Sequence, residues 1–203
     1  MIQAPAPALI LASQSAARQS LLRAAGLRFE AMPAAVDEDA LKASAQAEQL
    51  RAEDAAVMLA DAKAARIARR HPDALVIGAD PLLLCEGQWF DKPADAAAVA
   101  GHLRALSGRT HHLVNGVVAH RHGQRVWQHA GRCALTMRPL SEEFIAAYVA
   151  AEGEAARHSV GGYRLEGPGM HLFTRIEGEH SAILGLPMLP LLAFLRHHAV
   201  LAD

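Results

Sequence analysis

An aspartate, two lysines, an arginine, two serines and two glutamates are the residues of this chain whose types and spacing could do chemistry on a charged substrate. Asp80 closes the run Leu75-Val76-Ile77-Gly78-Ala79-Asp80, an apolar, β-branched stretch that follows the helix-stopping pair His71-Pro72 and reads as a core strand. A carboxylate at the end of a buried strand lies at the rim where α/β folds meet their ligands, and there it can hold a metal or activate water. Lys92 follows twelve residues later, beyond a second apolar run at 82–85 and the turn Glu86-Gly87-Gln88. A hairpin that brings Asp80 and Lys92 near one another would set an acid beside a phosphate-binding cation. Spacing alone equally allows a turn-capping aspartate and a solvated lysine.

Ser13, Ser15 and Arg18 form a second group. The apolar run 8–12 is a first strand, Ser13-Gln14-Ser15 a polar loop, and Ser15 the N-cap of a helix over 16–25 that Gly26 ends. Free N–H groups and the positive end of the helix dipole then face the loop, Ser13 can donate a hydrogen bond and Arg18 adds a full charge, which together suit an anion. Plain capping and a solvated arginine explain the same residues. Lys63 belongs to an alanine-rich helix over 48–70 and lies beside its apolar stripe of Val57, Ala60, Ala64 and Ile67, so it either snorkels to solvent or reaches into a cleft. Asp37-Glu38-Asp39 reads as an acidic, solvent-facing loop; Glu38 gains meaning only if that loop folds over the anion site, where it could hold a divalent cation. Glu166 stands in the glycine-rich segment 159–169, which either admits a planar ligand, with Glu166 accepting hydrogen bonds from a base edge, or is an ordinary connection.

The remaining elements must position these groups. Asp95 caps a helix over 96–106, and 110–119 and 124–137 are two long strands of an antiparallel ribbon turning at Arg121-His122-Gly123. Five histidines lie along the ribbon, and solvated faces explain them better than a zinc site, since no carboxylate stands at zinc-site spacing. Ser141 caps a further helix that ends at Gly153, 171–176 is the last strand, and a C-terminal helix runs over 190–200. These elements predict one α/β domain over residues 1–203, a mixed twisted sheet flanked by helices, with two lobes around a cleft.

The 203 residues, 52% hydrophobic and 20% charged with a net charge of −1, describe a folded globular chain and exclude a global field for a nucleic-acid polymer. A small polyanion remains the natural ligand. Cys85 and Cys133 are far apart in strand-like surroundings and read as reduced core residues, which suggests the cytoplasm. The start of the chain lacks a basic region and no run approaches membrane-spanning length, so neither a signal peptide nor a membrane partner is expected.

Taken in order, Leu9-Ile10-Leu11-Ala12-Ser13-Gln14-Ser15 with Arg18, Val36-Asp37-Glu38, Ala60-Asp61-Ala62-Lys63-Ala64, Ile77-Gly78-Ala79-Asp80, Asp91-Lys92-Pro93, Leu106-Ser107-Gly108-Arg109-Thr110-His111, the segment 163–167 and Gly185-Leu186-Pro187 resemble the Maf proteins over nearly the whole chain. The resemblance implies an ITPase-like fold and a homodimer. It also implies a nucleoside triphosphate pyrophosphatase that uses Mg²⁺ or Mn²⁺ to cut between the α and β phosphates, with a link to nucleotide-pool sanitation and division arrest. By motif position, Asp80 is then the proton acceptor and a metal ligand, Glu38 the other metal ligand, Ser13, Arg18, Lys63 and Lys92 the phosphate-binding set, and Glu166 the base contact. Three departures stand out. Ala16-Ala17-Arg18 replaces a common Pro-Arg-Arg, Asn115 stands where threonine is frequent, and Pro81 replaces the usual threonine or glutamine after the aspartate. Pro81 and the missing arginine leave a catalytically weakened, nucleotide-binding regulator of division, acting through a partner, as the alternative. Glu166 resembles the branch that hydrolyses 7-methyl-GTP, where the dTTP/UTP branch tends to carry glutamine.

Overall fold

Glycine and alanine, more than the large apolar residues, set how closely the layers of this protein approach. The computed structural model describes residues 2–202. They form two compact units, one comprising the chain up to Asp80, Asn115–Gly131 and the chain from Glu179 onward, the other Pro81–Val114 and Arg132–Gly178. The strands are β1 (Leu9–Leu11), β2 (Glu30–Ala31), β3 (Leu75–Cys85), β4 (Gln88–Phe90), β5 (Thr110–Arg121), β6 (Gln124–Met137) and β7 (Phe173–Glu177). The α-helices are α1 (Ala16–Ala24), α2 (Glu38–Ala47), α3 (Ala52–Ala68), α4 (Ala96–Leu106), α5 (Glu142–Ala156), α6 (His180–Ile183) and α7 (Met188–His197). The seven strands are ordered β2-β1-β3-β5-β6-β7, with β4 also paired to β3. β1 is parallel to β2 and β3, whereas β3–β4 and β6–β7 are antiparallel, which is the mixed sheet expected. Among the described residues no helix is long and apolar enough to cross a membrane.

In the first unit both faces of the sheet are covered, which is why its strands read as continuous apolar runs. Leu9, Leu11, Leu75, Ile77 and Val117 pack with Leu22 of α1 and with Leu191 and Leu195 of α7. Ile10, Val76 and Val118 pack on the opposite side with Ala60, Ala64 and Ile67 of α3. On that side α3 lies almost on the strand backbone. A Cβ at Gly78 would stand 2.1 Å from the Ala60 carbonyl oxygen, and one at Gly116 would stand 2.2 Å from the Ala56 carbonyl. Only glycine permits this approach, and the small Ala56, Ala60 and Ala64, four residues apart on one helix face, complete it.

In the second unit α4 packs on α5, with Val99, Leu103 and Leu106 facing inward from α4 and Ile145 and Tyr148 buried on α5. Two tight hairpins turn on a residue and glycine that both have positive φ, Glu86 (49°) with Gly87 (83°) before β4 and His122 (52°) with Gly123 (72°) before β6, the conformation that two-residue hairpins favour. Both cysteines are buried.

Several sequence expectations are corrected. Glu38 is not in a loop: Asp37 caps α2 by accepting a hydrogen bond from the Ala40 amide at 2.9 Å, and Glu38 and Asp39 form the helix's first turn. The helix expected over 48–70 starts only at Ala52, and α5 continues through the buried Gly153. A 3₁₀ turn over Pro168–Leu172 precedes β7, and the C-terminal helix begins at Met188. Asp80 lies inside β3 rather than at a strand end, because Pro81 does not break the strand. The ladders of β3 with β1 and with β4 occupy 75–77 and 83–85, so neither calls on the missing Pro81 N–H, and proline's fixed φ is compatible with extended backbone.

The ribbon histidines are not all solvated. His111 and His120 are buried, since β5 runs in the interior of the sheet order. Burial, helped by nearby His112, pushes the His111 imidazole from its ordinary 6.5 down to about 4. An unfolded chain therefore takes up this proton first as pH falls. The resulting stability is fully present above pH 6.5 and is lost as pH drops toward 4, by roughly 3 kcal/mol at most. In urea unfolding at pH 7 and pH 4.5, His111→Leu is expected to lose about 2 kcal/mol less than the parent protein across that interval; equal losses would remove His111 as the source.

Candidate active site

Five of the seven residues to which the family resemblance gives a role converge in the first unit. The loop after β1 brings Ser13 beside the start of α1, where the Ser15 hydroxyl caps the helix by accepting from the Arg18 amide at 3.4 Å. Arg18 is turned inward and buried. Its Nη1 donates to Ser13 Oγ at 3.0 Å and its Nε to the Gly185 carbonyl at 2.8 Å. Burial lowers its affinity for the proton, while the Asp80 and Glu38 carboxylates raise it; a guanidinium stays charged under these influences. Gly185 has φ +94°, and a Cβ there would come within 3.4 Å of Arg18 Nε, so the Gly185-Leu186-Pro187 turn delivers a bare carbonyl to the arginine.

Asp80 points from β3 toward α3 and is 2% exposed. Lys63, one turn along α3 from the Gly78 contact, is buried and donates from Nζ to Asp80 Oδ1. The same ammonium lies 2.9 Å from Glu38 Oε1 at the first turn of α2. Lys63 therefore neither snorkels nor faces an open cleft: it bridges two carboxylates. Among the described residues no donor reaches Asp80 Oδ2, although that oxygen is fully enclosed. Two cations and two anions thus lie within one another's field, each held by a different element, with Ser13 bound to Arg18.

Lys92 and Glu166 belong to the second unit and are both exposed there, Lys92 just after β4 and Glu166 in the loop before the 3₁₀ turn. Sequence reasoning gave no role to several polar groups that the fold uses. Asn115 Nδ2 donates to the Ala182 carbonyl at 2.8 Å, and the Ser181 hydroxyl accepts from the Met188 amide at 2.9 Å; both tie the Gly185 turn down. His120 Nε2 lies 2.8 Å from Asp61 Oδ1, with Arg125 3.6 Å from the same oxygen. A glycine followed by Leu-Pro before an apolar helix was the one visible signal for the turn; nothing in local sequence marked Asp61 and His120 as partners.

The family model described as Maf-like protein matches residues 8–198. The chain belongs to this family. This Maf-like chain is 54% identical over 193 residues to a Granulibacter bethesdensis protein named nucleoside triphosphate pyrophosphatase, covering 95% of this chain and 98% of the relative. It is 52% identical over 194 residues to a protein of the same name from Nitrobacter winogradskyi, covering 96% and 95%. A Rhizobium etli protein named 7-methyl-GTP pyrophosphatase is 50% identical over 190 residues, covering 94% and 96%. This Maf-like chain thus matches its relatives across the strand, loop and helix segments that carry Ser13, Arg18, Glu38, Lys63 and Asp80.

Proposed function

We propose that this protein is a nucleoside triphosphate pyrophosphatase that releases pyrophosphate and a nucleoside monophosphate, with Asp80 as the proton acceptor for the attacking water. The observation that carries this reading is the buried Asp80 carboxylate, with one oxygen held by Lys63 and the other enclosed without a donor among the described residues. Water held at Oδ2 would be oriented by a group that is itself fixed by a strand and an ion pair, which is the positioning that proton transfer needs. Arg18, Ser13 and Lys63 would then donate to the phosphate oxygens, because phosphoryl transfer depends on positioning and charge neutralisation more than on a covalent nucleophile. Lys92 is proposed as a further phosphate ligand.

A divalent cation fits the donor set. Mg²⁺ is commonly held by one or two carboxylates together with substrate phosphates. Asp80 and Glu38 supply two carboxylates around one ammonium, and among the described residues no trio of His, Cys, Asp or Glu is gathered as an all-protein metal cage. When bound, such an ion would offset phosphate charge and make water more acidic. Lys63 holds the two carboxylates together in the meantime and limits their mutual repulsion.

Glu166 supports a guanine nucleotide as substrate, 7-methyl-GTP in particular, because a carboxylate only accepts hydrogen bonds and the guanine edge offers donors. The relatives named 7-methyl-GTP pyrophosphatase support the same choice. The test is pyrophosphate release from 7-methyl-GTP, GTP, UTP and dTTP with Mg²⁺ or Mn²⁺. The expected result is highest kcat/KM for 7-methyl-GTP. Nucleotide binding without release above an Asp80→Asn control would replace the enzyme with a nucleotide-binding regulator.

A further inference from the structure

In the second unit a buried polar pair stands where an apolar one would pack as well. His111 of β5 is fully buried and its Nε2 lies 2.7 Å from the Tyr163 hydroxyl, itself buried. Phe173 closes a three-ring cluster with them, at centroid distances of 5.8 Å to His111 and 5.0 Å to Tyr163. Among the described residues nothing reaches His111 Nδ1, so whichever tautomer His111 adopts, one polar group of the pair goes unmet. A buried group left unmet costs stability; what the pair supplies in exchange is direction, since a hydrogen bond fixes where the Tyr163 ring ends.

Tyr163 stands at the junction of two segments. Before it, Gly161 and Gly162 have φ of +79° and +75°. The Gly161 amide donates to the Asp91 carbonyl at 3.2 Å, and a Cβ on Gly162 would touch Pro93 at 3.4 Å, so this turn lies on the two neighbours of Lys92. After it, the Arg164 amide donates to the Tyr148 hydroxyl at 3.2 Å and the Arg164 guanidinium to Glu152 at 3.3 Å. A Cβ at Gly169 would meet the Arg164 carbonyl oxygen at 2.0 Å. The loop carrying Glu166 is therefore folded back on Arg164, the residue next to Tyr163.

We infer that His111, acting through the Tyr163 hydroxyl, is a positioning residue that holds Lys92 and Glu166 in one frame and thereby sets nucleotide affinity and base selectivity without touching the nucleotide. The inference rests on the proposed roles of Lys92 and Glu166. It predicts that Tyr163→Phe, which removes one oxygen and keeps the ring, raises KM for the preferred nucleotide about tenfold with kcat nearly unchanged, the pattern of lost uniform binding. Its preference for guanine over uracil nucleotides narrows by a similar factor.

The double variant His111→Leu/Tyr163→Phe separates positioning from stability, because replacing both partners by apolar groups can restore the Tm. Its Tm should return toward that of the parent while KM and selectivity stay altered. His111→Gln, which keeps a hydrogen-bonding group, should recover part of the selectivity. Calorimetric Kd values for the same nucleotides give the same comparison without turnover. Absence of pyrophosphate release from the parent protein would therefore defeat the proposed activity and still leave the positioning role measurable. Parental KM, Kd and base preference in the double variant would overturn it.

Discussion

Asp80→Asn lowers kcat for pyrophosphate release by about 10³-fold, within the range that a positioned general base contributes. The amide keeps the shape of the carboxylate and an oxygen that Lys63 can still donate to, so the interlock of Arg18, Ser13, Lys63 and Glu38 survives. What changes is the second position, where an enclosed oxygen without a donor among the described residues is replaced by an NH₂ that cannot accept a proton. The unmet NH₂ costs about 1–3 kcal/mol of stability, which leaves the variant folded and suitable for kinetics. Substrate KM should move little, since the cations proposed to bind phosphate remain. Single-turnover measurement at saturating nucleotide checks the chemical step directly; a kcat within tenfold of the parent would remove Asp80 as the base.

Lys63→Met is expected to act on folding as much as on catalysis. The thioether side chain follows the same path along α3 but leaves Glu38 and Asp80 without the ammonium that joins them. Removing one partner of a buried ion pair costs roughly 3–5 kcal/mol. Most of that falls on the enclosed Asp80, because the Glu38 side chain is 37% exposed and solvent screens its share. For a chain of this size the loss corresponds to a fall in Tm of about 10 °C. Added Mn²⁺ should raise the Tm of the variant more than that of the parent, because the ion then offsets the two carboxylates that lysine no longer joins. A variant as heat-stable as its parent, with or without Mn²⁺, would show that the bridge carries little of the site's stability.

The parts of the site that sequence could convey were those written in short-range pattern. An apolar run, a serine-rich loop and an amphipathic helix placed Ser13 in its loop and Arg18 on its helix, and a β-branched strand carrying an acid put Asp80 on β3, though at its rim rather than inside it. Glu38 was harder, because three consecutive acids resemble a solvated loop as much as a helix start; the Asp37 cap and the favourable first-turn charge decided for helix α2. Lys63 beside an apolar stripe allowed two outcomes, and only the sheet's position could choose between them. The contact at Gly78 was not legible, since its partner Ala60 lies in another element. Pro81 drew suspicion from its chemistry alone, whereas β3 runs on through it, pairing with β1 before it and with β4 after it. His111 and His120, nine residues apart on one strand, face opposite ways, and alternation along β5 could not reveal that its interior place in the sheet buries both.

The contact of α3 with Gly78 and Gly116 has a consequence for rates. With backbone on backbone, the helix has no room to roll or slide beneath its strands, so the exchange of a carboxylate for a phosphate that is proposed for Lys63 would proceed by turning about its own side-chain bonds. That exchange is a torsional step, faster by orders of magnitude than the displacement of a packed helix. A switch of the ammonium from its resting partners to an incoming anion, as proposed for nucleotide binding, would therefore add no slow phase to capture.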